Sequence, residues 1–212
     1  MGCGQRSGVA PAVRGVRRCG QGLGCWQGAG WFAAVSIKGP NMATDVWQGA
    51  AGRPFCCRVR QFRAGDTAVL ADVFTSAVHG IASRFYSPAQ ISAWCPETPS
   101  SEVFLRKLSD GRAVWVAADD ADVPVAFIDM EADGHIDMLF CHPRAAGQGV
   151  AGMLYGKLEE AALRQGIRLL YVEASEAARS FFERMGFALD KRCEFERGGV
   201  KIHNYRMVKI LD

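Results

Sequence analysis

DMLFCHPRAAGQGVAGML, residues 137–154, decides how the chain is read. An apolar run from Met138 to Cys141 enters a loop of small residues. The loop leaves as a helix with Val150, Met153, Leu154, Leu158, Ala161 and Ala162 on one face. The first N–H groups of a helix have no partners inside it, and their partial positive charge attracts anions. Small side chains at Ala146, Gly147, Gly149, Ala151 and Gly152 let a phosphate oxygen come close to the backbone. The segment is a candidate pyrophosphate cradle.

Gly147, Gly149 and Gly152 also spell G-x-G-x-x-G, with Glu173 where a ribose-binding acid would lie. Three features oppose a dinucleotide fold. The glycines do not start at the strand end, because His142 to Ala146 intervene. Only 39 residues follow Glu173, too few for the remaining parallel strands. Three closely linked strands precede the loop, unlike a parallel crossover unit. A Walker loop is excluded because no Lys-Ser/Thr pair follows the glycines.

Upstream, residues 58–63 alternate as a short strand, and Val69, Leu70, Val73, Phe74, Ala77, Val78 and Ile81 recur at helical spacing. Ser87 caps a second helix with Pro88 at its first position, running through Ile91 and Trp94. A third helix is expected over 101–108. Strands are expected over 113–118, 123–130 and 135–141, joined by short turns that imply antiparallel neighbours. Downstream come a strand over 168–174, a helix over 176–185 closed by Gly186, and a hairpin around Gly198-Gly199. The order predicts an α+β (α/β) fold: a mixed, mainly antiparallel sheet flanked by helices.

Residues 1–52 read differently. They hold half of the 24 glycines, have no acidic residue before Asp45 and show no apolar period. They are expected to be a disordered or mis-called extension, with the domain over 57–211. The net charge of +3 gives no pull toward nucleic acid or an anionic membrane, and no apolar run is long enough to span a bilayer. The eight cysteines form no C-x-x-C pair, so no metal site is expected, and their scatter fits a reducing cytoplasm.

The region from His135 to Phe187 resembles the GNAT-type N-acetyltransferases, in the bacterial branch of that family. The family loop reads Arg/Gln-x-x-Gly-x-Gly/Ala a few residues after a strand that ends near a proline. With Pro143 setting the register, Ala146 takes the Arg/Gln place, Gly149 the central glycine and Ala151 the last small residue. The family's later Asn-x-x-Ala motif, followed by an aromatic-Tyr pair and Gly-Phe, meets Ser175, Ala178, Phe181, Phe182, Gly186 and Phe187 here. The departures are Ala146, Ser175 and Phe182. The resemblance extends over about 58–209.

That resemblance implies direct transfer of the acetyl group of acetyl-CoA to an amine. It places the pyrophosphate on Ala146, Gly147, Gln148, Gly149, Val150, Ala151 and Gly152. It places the pantetheine arm in a gap between the fourth and fifth strands, along Leu139, Phe140 and Cys141. An attacking amine must lose a proton, and a carboxylate can take it. Asp137 is the first candidate, on strict alternation facing with Leu139 and Cys141; His135 and Glu173 follow. Phe182 stands where relatives carry a proton-donating tyrosine, so Ser175, Tyr171, water or unaided thiolate departure must serve. Tyr86 and Trp94 are candidate acceptor-binding residues. The acceptor is expected to be a small-molecule or peptide amine, without nucleic acid or membrane partners, and a homodimer stays open. A noncatalytic acyl-CoA-binding or sensing module is the competing reading.

Overall fold

The computed structural model describes residues 56–212; the expectation for residues 1–52 falls on residues outside this range. The described elements run β1 (Arg58–Gln61), α1 (Thr67–Gly80), α2 (Pro88–Trp94), α3 (Ser101–Leu108), β2 (Ala113–Ala118), β3 (Pro124–Met130), β4 (His135–Ile136) and β5 (Leu139–Cys141). They continue with α4 (Val150–Arg164), β6 (Leu169–Ala174), α5 (Glu176–Arg184), β7 (Ala188–Arg197) and β8 (Val200–Ile210). Among the described residues no helix is long and apolar enough to cross a membrane.

The strands form two sheets, in the orders β1-β2-β3-β5 and β4-β6-β8-β7. Every neighbouring pair is antiparallel except β4 with β6. All seven residues of β3 are buried, as both faces of the sheet carry helices. One apolar layer lies under α4 and α5, with Leu154, Leu158, Ala178, Phe181 and Phe182 against Ala126, Ile128, Leu139 and Val172. The other lies under α1, α2 and α3, with Phe74, Trp94 and Phe104 against Val116, Phe127, Met138 and Phe140. Each fully buried Leu, Phe or Met here contributes about 1.5–3 kcal/mol.

Local signals set the boundaries. The Ser87 hydroxyl accepts the Gln90 N–H at 3.3 Å, while the Gln90 side chain accepts the Ser87 N–H at 2.9 Å. At the β7–β8 turn Gly198 and Gly199 have φ of 56° and 77°, the tight hairpin geometry that favours glycine. Gly134, at φ 88°, has a sharper reason to be glycine. A Cβ there would lie 2.2 Å from the Leu169 carbonyl oxygen, so its absence lets β4 come alongside β6.

The expected single strand over 135–141 is corrected by the structure. It divides into β4, which joins the second sheet, and β5, which stays with β3. Ile136 and Leu139 lie in the same apolar layer although they are three residues apart, so one extra residue interrupts the two-residue period. The Asp129 carboxylate sits at the interruption. Its Oδ1 accepts the N–H of Asp137 at 3.1 Å and of Met138 at 2.7 Å.

Candidate active site

The split strand opens a gap. β4 pairs with β6 only at His135 with Tyr171 and Ile136 with Val172. Beyond that point β5 runs beside β3, while Glu173 and Ala174 of β6 pair only with β8. Asp129 donates its N–H to the Met138 carbonyl at 3.1 Å, and His142 donates to the Val125 carbonyl at 2.8 Å. Residues 138, 140 and 142 thus turn their backbone groups toward β3. By the alternation of an antiparallel ladder, Leu139 and Cys141 turn theirs toward the gap. The side chains of Leu139, Phe140 and Cys141 are buried, so any ligand in the gap meets their backbone.

At the mouth of the gap α4 begins. Gly149 caps it at φ 76°, and the first helical bond at this end is from the Met153 N–H to the Gly149 carbonyl. The N–H groups of Val150, Ala151 and Gly152 precede that bond. Apart from their own stretch of chain, no atom lies within 4 Å of where a Cβ would stand on Gly149 or Gly152, so the space beside these two glycines is open. Gly147 also has positive φ, and Gln148 fixes the loop by donating to the Arg144 carbonyl at 2.7 Å. Ala146 is half-buried and touches both apolar layers. From Ala146 to Gly152 the loop presents backbone and mainly small side chains.

Asp137 does not share the face of Leu139 and Cys141. The extra residue turns it toward α3, where it is 4% exposed and ion-paired with Lys107 and, at 3.0 Å, with Arg112. Burial alone would raise its pKa. The Lys107 ammonium, then His135 and Arg112, reverse this and hold the carboxyl below its ordinary value. Arg112 also binds Asp129, Asp110 and Glu131, at 2.7 Å and 2.9 Å for the last two. Asp129 itself is fully buried, and burial together with the Asp137 charge pushes its carboxyl upward.

His135 pairs with Glu173 at 2.6 Å, lies 3.6 Å from Glu131 and stacks on Tyr171. Burial would lower its pKa, but the two glutamates outweigh burial and push it up to about 10. A ring nitrogen that holds its proton this firmly is a poor acceptor for another at neutral pH. Glu173, on the rim of the gap, keeps a quarter of its side chain exposed. Tyr171 donates to Asp133 at 2.7 Å on the sheet surface, away from the layer that holds Leu139.

At the end of β6 the Ser175 hydroxyl caps α5 by accepting the Ala178 N–H. The next residue, Glu176, accepts hydrogen bonds from Tyr205 at 2.6 Å and contacts His203 at 3.2 Å. Tyr86 donates to the His203 carbonyl at 3.1 Å and accepts the Glu176 N–H at 2.9 Å. Burial pushes its hydroxyl up to about 12. Tyr86 lines a cavity of about 270 Å³ with His79, Ser83, Pro88, Ile91 and Ser92. Trp94 packs edge-on to Tyr86 at 5.5 Å and is not among the lining residues. Phe182 is fully buried between Phe181 and Phe187, with ring centroids 5.2 Å and 5.1 Å away.

A gap between the fourth and fifth strands beside a glycine-capped helix is the arrangement that the sequence resemblance implied. The family model of the acetyltransferase (GNAT) domain matches residues 83–209. The chain belongs to the GNAT acetyltransferase family. It is 37% identical over 150 residues to the uncharacterized N-acetyltransferase YafP of Escherichia coli, covering 71% of this chain and 93% of that protein. Among solved structures it is similar to a GCN5-related N-acetyltransferase of Rhodopseudomonas palustris. That match has a TM-score of 0.67 and 30% identity, and covers 73% of this chain and 95% of the other. It also shares the fold of the PaiA N-acetyltransferase of Thermoplasma acidophilum, solved with coenzyme A. There the TM-score is 0.61 at 18% identity, over 74% and 99% of the two chains. As a GNAT protein the chain is an acyltransferase with acetyl-CoA as co-substrate.

Sequence reasoning missed Asp129, Arg112, Lys107 and Glu176. An aspartate inside the apolar run VAFIDM was the one available signal, because a buried carboxylate requires partners. Which partners it finds depends on strand pairing.

Proposed function

We propose that the chain transfers acetyl directly from acetyl-CoA to a small-molecule or peptide amine lying between the gap and the α1–α2 side of the sheet. The observation that carries this reading is the edge of β5 turned away from β3, facing the end of β6 that pairs only with β8 and leading to the N-terminus of α4. Leu139 and Cys141 would hold the pantetheine arm by backbone hydrogen bonds. The loop from Ala146 to Gly152 would hold the pyrophosphate. Holding both substrates in line supplies most of the rate gain.

The amine nitrogen forms a bond to the thioester carbonyl carbon, the C–S bond breaks, and coenzyme A leaves as a thiolate. The amine proton needs an acceptor. Asp137 is engaged by two cations, so protonating it breaks two ion pairs. Glu173 is engaged by His135 and reaches solvent at the rim, which supports it as the acceptor ahead of Asp137. Phe182 has no hydroxyl, and water or Ser175 protonates the thiolate. Tyr86 forms part of the acceptor wall, with Trp94 as its backing.

The test is thiol release from acetyl-CoA by the full chain across a panel of primary amines, including lysine peptides. Amine-dependent release is expected for at least one class. Coenzyme A binding with no release for any amine would favour the noncatalytic acyl-CoA-binding module.

A further inference from the structure

We infer that Asp129 is the positioning residue that holds the gap open, because its carboxylate replaces β3 backbone as the partner of two amides at the strand break. In an unbroken ladder the Met138 N–H would donate to the Asp129 carbonyl, reciprocating the bond from the Asp129 N–H to the Met138 carbonyl. Here Asp129 Oδ1 takes that N–H at 2.7 Å and the Asp137 N–H as well at 3.1 Å. One side-chain oxygen satisfies two amides that the extra residue would otherwise leave without a partner in a fully buried place. Its second oxygen is held by the Arg112 guanidinium, which is 4% exposed and anchored in turn to Asp110 and Glu131. The carboxylate therefore cannot swing away.

The consequence reaches the acyl-CoA arm. The break at 137–138 sends β4 to β6 and leaves β5 on β3, so it creates the free edge at Leu139 and Cys141. Asp129 lies on β3, on the side of β5 away from the gap. Its effect passes through the backbone. This inference rests on the reading of the β5 edge as the pantetheine site.

The experiment compares Asp129→Asn with Asp129→Ala in the full chain. Both lose the charge that pairs with Arg112, but only the asparagine keeps an oxygen for the two amides. Asp129→Ala is expected to weaken coenzyme A binding roughly 10- to 100-fold by calorimetry, with KM for acetyl-CoA rising more than kcat falls. Asp129→Asn should stay within about threefold of the parent affinity. Amide exchange read by NMR should show the Asp137 and Met138 protons exposed in the alanine variant and protected in the asparagine variant, with Phe140 protected in both. Equal loss of affinity in the two variants would overturn the inference, since it would assign the effect to the ion pair with Arg112. Unchanged affinity in a folded Asp129→Ala would overturn it too. If the alanine variant does not fold, the asparagine variant decides alone: loss of protection at both amides overturns the inference, and retention supports it. A parent chain that protects both amides yet binds no coenzyme A would contradict the pantetheine site itself, not the pinning by Asp129.

Discussion

The two walls of the gap are built on different principles. On the α4 side, the chain offers backbone: a left-handed glycine cap, open N–H groups and small side chains from one continuous segment. On the opposite side of the split strand, it offers paired charged side chains gathered from α3, from the turn before β2, from β3, from β4 and the break after it, and from β6. A backbone cradle needs only the right local conformation, so eighteen residues suffice to announce it. A charge network needs partners that only the tertiary fold supplies. The comparison predicts that changes on the first wall strike binding, and changes on the second strike stability and proton handling.

The largest effect is expected at Gly152. It lies in the first turn of α4 with open space around it and helical backbone, so a side chain fits. Gly152→Asp puts a carboxylate where the pyrophosphate is proposed to sit, and coenzyme A affinity should fall by at least about 100-fold in calorimetry. The melting temperature should hold or rise slightly, since an acid in the first turn favours the helix. Gly149→Asp should weaken binding as well, but its φ of 76° adds backbone strain, so it is the less clean test. Unchanged affinity in a folded Gly152→Asp chain would remove the cradle assignment.

Asp137→Asn probes the other wall. It leaves Lys107 without its carboxylate and Arg112 with one fewer, at a site where Asp137 is 4% exposed. A loss of about 3 kcal/mol is expected from breaking a buried pair. That corresponds to roughly 6–12 °C in melting temperature for a domain of this size. Coenzyme A affinity should change far less than in Gly152→Asp. A chain that melts normally but loses turnover would return Asp137 to the role of proton acceptor.

His135 gives a smaller, pH-dependent effect. Its folded pKa is about 10 against an ordinary value of about 6.5, so the folded chain binds the extra proton between these limits. The stability from its pairs with Glu131 and Glu173 is fully present below the lower value. It is lost as pH rises through the upper one. The melting temperature of the parent should therefore fall more steeply across this window than that of His135→Gln. Parallel curves would show that His135 is not charged in the fold.

The smallest effect is expected at Phe182. Its ring is fully buried against Phe181 and Phe187. Phe182→Tyr should change turnover by no more than about threefold in steady-state assays, with any gain coming from a hydroxyl that reaches the leaving thiolate. A much larger gain would mean that thiolate protonation limits the parent.

These contrasts explain what was legible. The glycine loop entering α4, the capped helices and the Gly198-Gly199 hairpin were readable because each is decided within a few residues. The position of the fourth strand was readable, but its division was not. Strict alternation places Asp137 with Leu139 and Cys141, and only a carboxylate from the neighbouring strand, Asp129, reveals that the period is broken. The charge state of His135 was equally hidden, because Glu131 and Glu173 lie four residues before it and thirty-eight after it. Tyr86 and Trp94 were singled out as one pair. Tyr86 lines the cavity beside α1 and α2, and Trp94 supports it from the core.

The division of labour between the two walls is tested most directly by the pH dependence of kcat/KM for Glu173→Gln, measured with the best amine acceptor and saturating acetyl-CoA. The account predicts a loss of roughly 100-fold or more near neutral pH, with coenzyme A affinity unchanged. The loss should shrink as pH rises and free amine becomes plentiful. A variant with parental kcat/KM at neutral pH, or one whose loss stays constant across the profile, would contradict the assignment of proton transfer to Glu173.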